Sequence, residues 1–323
     1  MKTNYTDILP LALIALVIIY SLKFYVSKLR NDGPDKIHYF TKLILLLILR
    51  FFSEIYNNFA SKNSIIKGFA IENNYYWYVY RTFQSIDQIK PVKIKITPSI
   101  LCIQCDNRDN DYITNGKTIN QMACEKHGFK YNFTDILQCD NPYVNKFIYL
   151  RSEMKKDYEY ILWVDSDAYI CPSFNINLLI NNYPDSIFFA SRDPPRVQFK
   201  DSHPIFSKYF TVFCSGVFII KNNSNGREFL DFMIDHLTNP EKINMYEKID
   251  PTKTWAGFHY EQGIMNVAIR EHRKQCTLLD YNYLNDSPNN LNEKSWIIHA
   301  MALGPKERNE ISLKVMKLWD FKM

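Results

Sequence analysis

The sequence predicts an α/β domain built on a mostly parallel sheet flanked by helices, preceded by an N-terminal transmembrane helix. From about Pro98 onward, short apolar strands alternate with helix-like segments, the pattern of a sheet covered by helices. Near the start, Ile8 to Tyr20 is an apolar run broken only by Pro10. Ser21, Leu22, Phe24, Tyr25 and Val26 extend it to about 19 residues around the lone charge of Lys23, which spans a bilayer if that lysine snorkels. The whole chain of 323 residues is 46% hydrophobic and 23% charged, a globular composition with enough apolar surface for a core.

No small-x-small cleavage site comes after the first run, so residues 1–30 read as an uncleaved anchor, with a cleaved signal peptide as the competing reading. A second apolar stretch, KLILLLILRFF from Lys42 to Phe52, is too short to span alone. It reads as an interfacial helix within a stem over residues 31–96. Lys23, Lys28, Arg30, Lys36 and Lys42 lie after the span and only Lys2 precedes it, which by the positive-inside rule turns the bulk of the chain to the cytoplasm.

Within the remaining domain, residues 97–323, SILCIQC reads as a strand. KTINQMACEKHG comes next as a helix with Ile119, Met122 and Ala123 on one face and Gly128 as its cap. KYNFTDI is the next strand, VNKFIYLRSEMKKD a helix, YEYILWVD a buried strand, SIFFASRD another strand and VFCSGVFIIK a further apolar run. Nine glycines form neither GxGxxG nor GxxxxGK[ST], which removes the dinucleotide fingerprint and the P-loop. The net charge of +5 is spread along the chain without the basic stripes of a nucleic-acid binder, so no nucleic-acid partner is expected. Seven cysteines leave at least one unpaired. Cys102 and Cys105 read as ordinary strand cysteines on opposite faces, since no second CxxC stands at metal-site spacing. Sequons at Asn4, Asn132, Asn222 and Asn285 carry no conclusion by themselves.

The chemistry concentrates in YILWVDSDAYI, residues 160–170. An apolar strand ending in Asp165 and Asp167 can aim both carboxylates at one point beyond its edge, where hard oxygens suit Mn²⁺ or Mg²⁺ bound with a diphosphate. A surface turn is the competing reading. Asp109 and Asp111 repeat the spacing inside DNRDNDY, where no strand is expected to feed them, so that pair reads as a solvated loop. Lys146 and Arg151 share a helix and are candidates to reach a phosphate, the alternative being a solvated face.

In order along the chain, KTINQMACEKHGFKYNF, the Lys146 and Arg151 helix, YEYILWVDSDAYI, SGVFIIKNN, FHYEQGIMNVAI and WIIHAMALGPKER resemble the landmarks of retaining GT-A glycosyltransferases. The likeness covers roughly residues 98–310 and points to glycosyltransferase family thirty-four, the α-mannosyl, α-galactosyl and α-xylosyltransferase group. It implies the GT-A nucleotide-diphospho-sugar transferase fold. It also implies that Asp165, Asp167 and His299 hold Mn²⁺ or Mg²⁺, and that Gly304 and Lys306, or Arg308 in place of Lys306, contact the diphosphate. Asp193 then resembles an acid near the donor sugar, the other reading being a turn residue before Pro194 and Pro195. Ser215 and Gly216 match a place of close backbone approach to the sugar, although Cys214 departs from the commoner Asn. Glu261 and Gln262 match a Glu-Gln pair, the bland reading of Glu261 being an acid at a helix start.

As an activity, the resemblance implies metal-dependent transfer, with retention, from a nucleoside-diphosphate sugar to a glycan or glycoprotein hydroxyl. It also implies a single-pass membrane protein of Golgi or ER type II, opposite to the cytoplasm-facing orientation favoured by the basic residues. Two rivals remain. A metal-dependent nucleotidyltransferase would more often show a Gly-rich basic loop where LCIQCDNRDND stands, and a degenerate scaffold domain would be expected to lose the carboxylates and histidine that this chain keeps.

Overall fold

The computed structural model describes residues 89–93, 96–193, 213–249 and 259–320. The chain divides into two compact units, Met1–Trp77 and Tyr78–Met323, and every described residue belongs to the second. The expected anchor and the apolar stem segment lie outside the described residues. Among the described residues no helix is long and apolar enough to cross a membrane.

β1 (Ile100–Cys105) is buried along nearly its whole length. Cys102 faces Cys124 and Cys105 accepts from Asn145 at 3.4 Å, so the two thiols lie on different faces of the strand, and all seven cysteines are free. α1 (Asp111–His127) starts earlier than the apolar spacing predicts, because extended Asn110 offers its carbonyl to the Ile113 amide at 3.0 Å. It ends where the sequence indicates, at Gly128 with φ 74°, a left-handed cap whose neighbour Phe129 donates to the Cys124 carbonyl at 2.8 Å. β2 (Lys130–Thr134) leads to α2 (Pro142–Glu153), where the Asn141 side chain accepts from the amides of Tyr143 and Val144 and Pro142 occupies the first turn. β3 (Tyr160–Val164) has every residue buried, as a central strand covered on both faces requires.

Beyond it come β4 (Ala168–Ile170), α3 (Ile176–Asn182), β5 (Phe188–Arg192) and β6 (Phe213–Lys221). α4 (Ser224–Thr238), α5 (Pro240–Ile249), α6 (Glu261–Glu271), β7 (Cys276–Leu279), α7 (Tyr281–Leu284), β8 (Ile297–His299) and α8 (Pro305–Leu318) complete the order. Six strands form one sheet in the order β2-β1-β3-β6-β5-β7, and β4 pairs with β8 in a second. The β1–β2, β1–β3 and β5–β7 pairings are parallel. β6 departs from the parallel expectation by running against both β3 and β5. That reversal sets the start of β6 beside the carboxyl end of β3. α1 packs on α8, while α2 and α6 both pack on α4.

Candidate active site

The β3 ladder runs one residue past the strand, with the Asp165 amide donating to the Gly216 carbonyl at 2.7 Å. The Ala168 amide then closes a turn on the Asp165 carbonyl at 2.9 Å, and the Ala300 amide takes the Asp167 carbonyl at 2.8 Å. Asp165, Ser166 and Asp167 therefore form the bend that carries the chain from the large sheet to the small one. Residue Ala168 pairs with His299 in register, which places that histidine opposite the bend.

One ligand atom from each of Asp165, Asp167 and His299 lies within 4.8 Å of the others. His299 Nε2 is 3.2 Å from Asp167 Oδ1, and Arg308 Nη2 is 3.0 Å from Asp167 Oδ2. Arg308 is fixed further by the Ala300 carbonyl at 3.2 Å and the Tyr112 hydroxyl at 3.3 Å. On the other side, Lys146 Nζ is 3.0 Å from Asp165 Oδ1, and the Trp163 indole donates to the same oxygen at 2.6 Å. Lys146 also donates to the Ser215 carbonyl at 3.0 Å and to Glu261 Oε1 at 3.3 Å, and that oxygen accepts the Ser215 hydroxyl at 2.9 Å. Glu261 is thus more than a helix-start acid, because it compensates a buried lysine.

The charges set one another. Burial and the nearby Asp167 push the Asp165 carboxyl above its ordinary range, with Lys146 pulling against them. Burial would raise Asp167 too, but the adjacent His299 and then Arg308 outweigh it and hold Asp167 low. Burial opposes the charge on His299, yet Asp167 wins and the imidazole is raised. Lys146 obeys the same logic, with Asp165 and Glu261 overcoming its burial.

Gly216 is required by a neighbour that the resemblance does not name. A Cβ there would lie 2.2 Å from His299 Cε1, so the absent side chain makes room for the imidazole. Asp193 is wholly buried directly after β5. Its Oδ2 accepts from Gln262 at 2.8 Å and its Oδ1 from Asn285 at 2.9 Å. Burial raises its carboxyl, with the Gln262 and Cys214 side chains pulling the other way. Cys214 itself lies 3.5 Å from His299 Nδ1.

Other expected positions fall outside the cluster. Arg151 forks onto Asp231 at 2.6 and 3.2 Å on the surface between α2 and α4. Lys306 is exposed in the first turn of α8, and Arg308, one of the two alternatives, is the side chain that reaches Asp167. Gly304 caps α8 at the surface, where an added Cβ would meet Glu307 Oε2 at 2.6 Å. Asp109 and Asp111 are exposed, as expected of a solvated pair, although β1 does feed their segment. Sequence reasoning passed over Asp106, which is buried directly after β1 and bonded to Arg108 at 2.6 Å and to the Ser166 hydroxyl. Its signal was available, since an aspartate at the end of a buried strand is what singled out Asp165.

Among curated proteins none matches by sequence. The crystal structure of a glycosyltransferase involved in the glycosylation of the major capsid of PBCV-1 is similar at 17% identity and a TM-score of 0.48, over 67% of this chain and 100% of that one. Mouse xyloside xylosyltransferase 1 in its apo form is similar at 12% identity and a TM-score of 0.38, over 63% of this chain and 97% of its own. At such scores neither likeness bears on the assignment. The profile of the galactosyl transferase GMA12/MNN10 family matches residues 100–275, more than half of the chain, and takes in β1 through α6 with Lys146, Asp165 and Asp167. The chain belongs to that family and is a glycosyltransferase.

Proposed function

We propose that the chain is a metal-dependent transferase of GT-A type, moving a hexose or pentose from a nucleoside diphosphate to a hydroxyl of a glycan or glycoprotein with retention. In this reading residues 1–30 anchor it to a membrane. The observation that carries the proposal is the convergence of Asp165, Asp167 and His299 within 4.8 Å. Two hard carboxylates and an imidazole suit Mn²⁺ or Mg²⁺. The donor set fits such an ion electrostatically, because burial and mutual repulsion already oppose the charge on Asp165. Bound there, the cation would supply Lewis-acid stabilisation of the departing diphosphate.

The chain's own groups do the rest. Arg308, ion-paired to Asp167, would share the charge of the diphosphate. Lys146 keeps Asp165 oriented and joins it to Glu261 and Ser215, where the family resemblance sets the sugar. Both Asp193 oxygens are engaged by amides, so Asp193 is not presented as a free nucleophile, and Lys146 and Ser215 both hold Glu261 through Oε1. That favours attack by the acceptor hydroxyl from the leaving-group face, with Gln262 beside it. The test is hydrolysis of a panel of nucleotide sugars by the full-length chain with Mn²⁺ or with a chelator. Turnover of one donor that needs the cation is expected, and cation-independent turnover would overturn the metal assignment.

A further inference from the structure

We propose that Asn285 is a positioning residue for His299, holding the imidazole so that Nε2 faces Asp165 and Asp167. The proposal deepens the metal reading and rests on it. Asn285 opens a sequon, yet it has 0% exposure and sits at the end of α7 against the small sheet. Its Oδ1 is 2.8 Å from His299 Nδ1, and its Nδ2 donates to Asp193 Oδ1 at 2.9 Å and to the Arg192 carbonyl at 3.3 Å. The chemistry fixes the orientation from both ends. A carboxylate and a carbonyl only accept, so the NH₂ group must face Asp193 and Arg192, which leaves the amide oxygen for the ring. Nδ1 must then carry a proton, which leaves Nε2, the nitrogen 3.2 Å from Asp167 Oδ1, as the one a cation would take in place of its proton. Gln262 steadies Asp193 from behind. The backbone clamps the same place, as the Asp286 amide donates to the Ile297 carbonyl at 3.0 Å and the His299 amide to the Asp286 carbonyl at 3.0 Å. Asp193 and Gln262 thereby act through Asn285 on the histidine.

The experiment titrates the full-length chain with Mn²⁺ alone, reading free ion by electron paramagnetic resonance, alongside ¹⁵N spectra of labelled histidine at a pH where the ring is neutral. Asn285→Ala should weaken Mn²⁺ binding about 10–100-fold, the scale for removing a ligand's supporting partner. Asn285→Asp alone sets two carboxylates together and should also weaken it. Combining Asn285→Asp with Asp193→Asn reverses the donor and acceptor of that one bond, keeps an acceptor for Nδ1–H, and should restore affinity toward wild type. A folded Asn285→Ala protein with unchanged affinity overturns the proposal. If that variant does not fold, a double variant that binds no better than Asn285→Asp alone overturns it, and one that recovers binding supports it. If wild type binds no Mn²⁺, the metal reading fails by itself. The positioning role is then judged on the spectra, where a hydrogen-bonded proton on Nδ1 of His299 in wild type that is disturbed in the Asn285 variants upholds it and an Nδ1 signal identical in wild type and variants overturns it.

Discussion

Asp109 and Asp111 stand exposed at the entrance to α1, while Asp165 and Asp167 carry the same spacing into a bend where the second carboxylate has 11% side-chain exposure. Both pairs come after a buried strand of the large sheet, so the strand by itself does not separate them. What separates them is the company that distant chain brings. Lys146 from α2, His299 from β8 and Arg308 from α8 all bond the second pair. A carboxylate pair becomes a site when elements far apart in sequence converge on it with opposite charge, because burial without such partners would neutralise it.

The contrast breaks most visibly in turnover. Asp165→Asn and Asp167→Asn should each lower Mn²⁺-dependent nucleotide-sugar hydrolysis at least about 100-fold, above the cost of losing a ligand's supporting partner. Asp109→Asn and Asp111→Asn should leave the rate unchanged, and equal losses at both pairs would erase the distinction. Next comes the buried cation. Lys146→Met strands Asp165 and Glu261 without compensation and should cost about 3–5 kcal/mol in chemical denaturation. A loss below about 1 kcal/mol would rank these pairs with exposed ones.

Asp106 sharpens the comparison by pH. Burial acts to raise its carboxyl, but the bonds from Arg108 and Ser166 outweigh it and hold the folded value below the ordinary one. A depressed folded value contributes stability that is full above the unfolded value of about 4 and fades as pH falls through the folded value. Asp106→Asn should therefore cost about 1.5–3 kcal/mol at neutral pH. Its denaturation curve should converge on that of wild type in acid, and a constant gap at all pH values would deny Asp106 this role. The smallest effect belongs to the surface. Arg151→Ala breaks only the fork to Asp231 and should change stability by about 0–1 kcal/mol with turnover intact.

Much of this was legible in local pattern. Burial on both faces makes β1, β3 and β6 read as continuous apolar runs, and Gly128 announces the end of α1 through the φ it must adopt. The convergence of Asp165, Asp167 and His299 was legible through strand context and family resemblance together. Asn285 was not, because an asparagine in a sequon looks like surface until its two partners, Asp193 and His299, are brought to it from other strands. The imidazole above Gly216 was not legible, since nothing near that glycine in sequence reveals it. The choice between Lys306 and Arg308 also needed three dimensions, because which of two cations on one helical turn faces inward depends on how α8 lies against the bend.

The short pairing of β4 with β8 has a consequence for the order in which the molecule matures. Asp167 and His299 are 132 residues apart, and they meet only once Ile297–His299 has laid itself along Ala168–Ile170. A chain emerging from the ribosome would expose both aspartates long before the histidine, Asn285 or Arg308 existed to answer them. Such a distant closure carries a large entropic cost and belongs late in folding. Any ion that prefers the closed arrangement then acts as a brake on its reopening, linking survival of the mature chain to the divalent ion concentration around it.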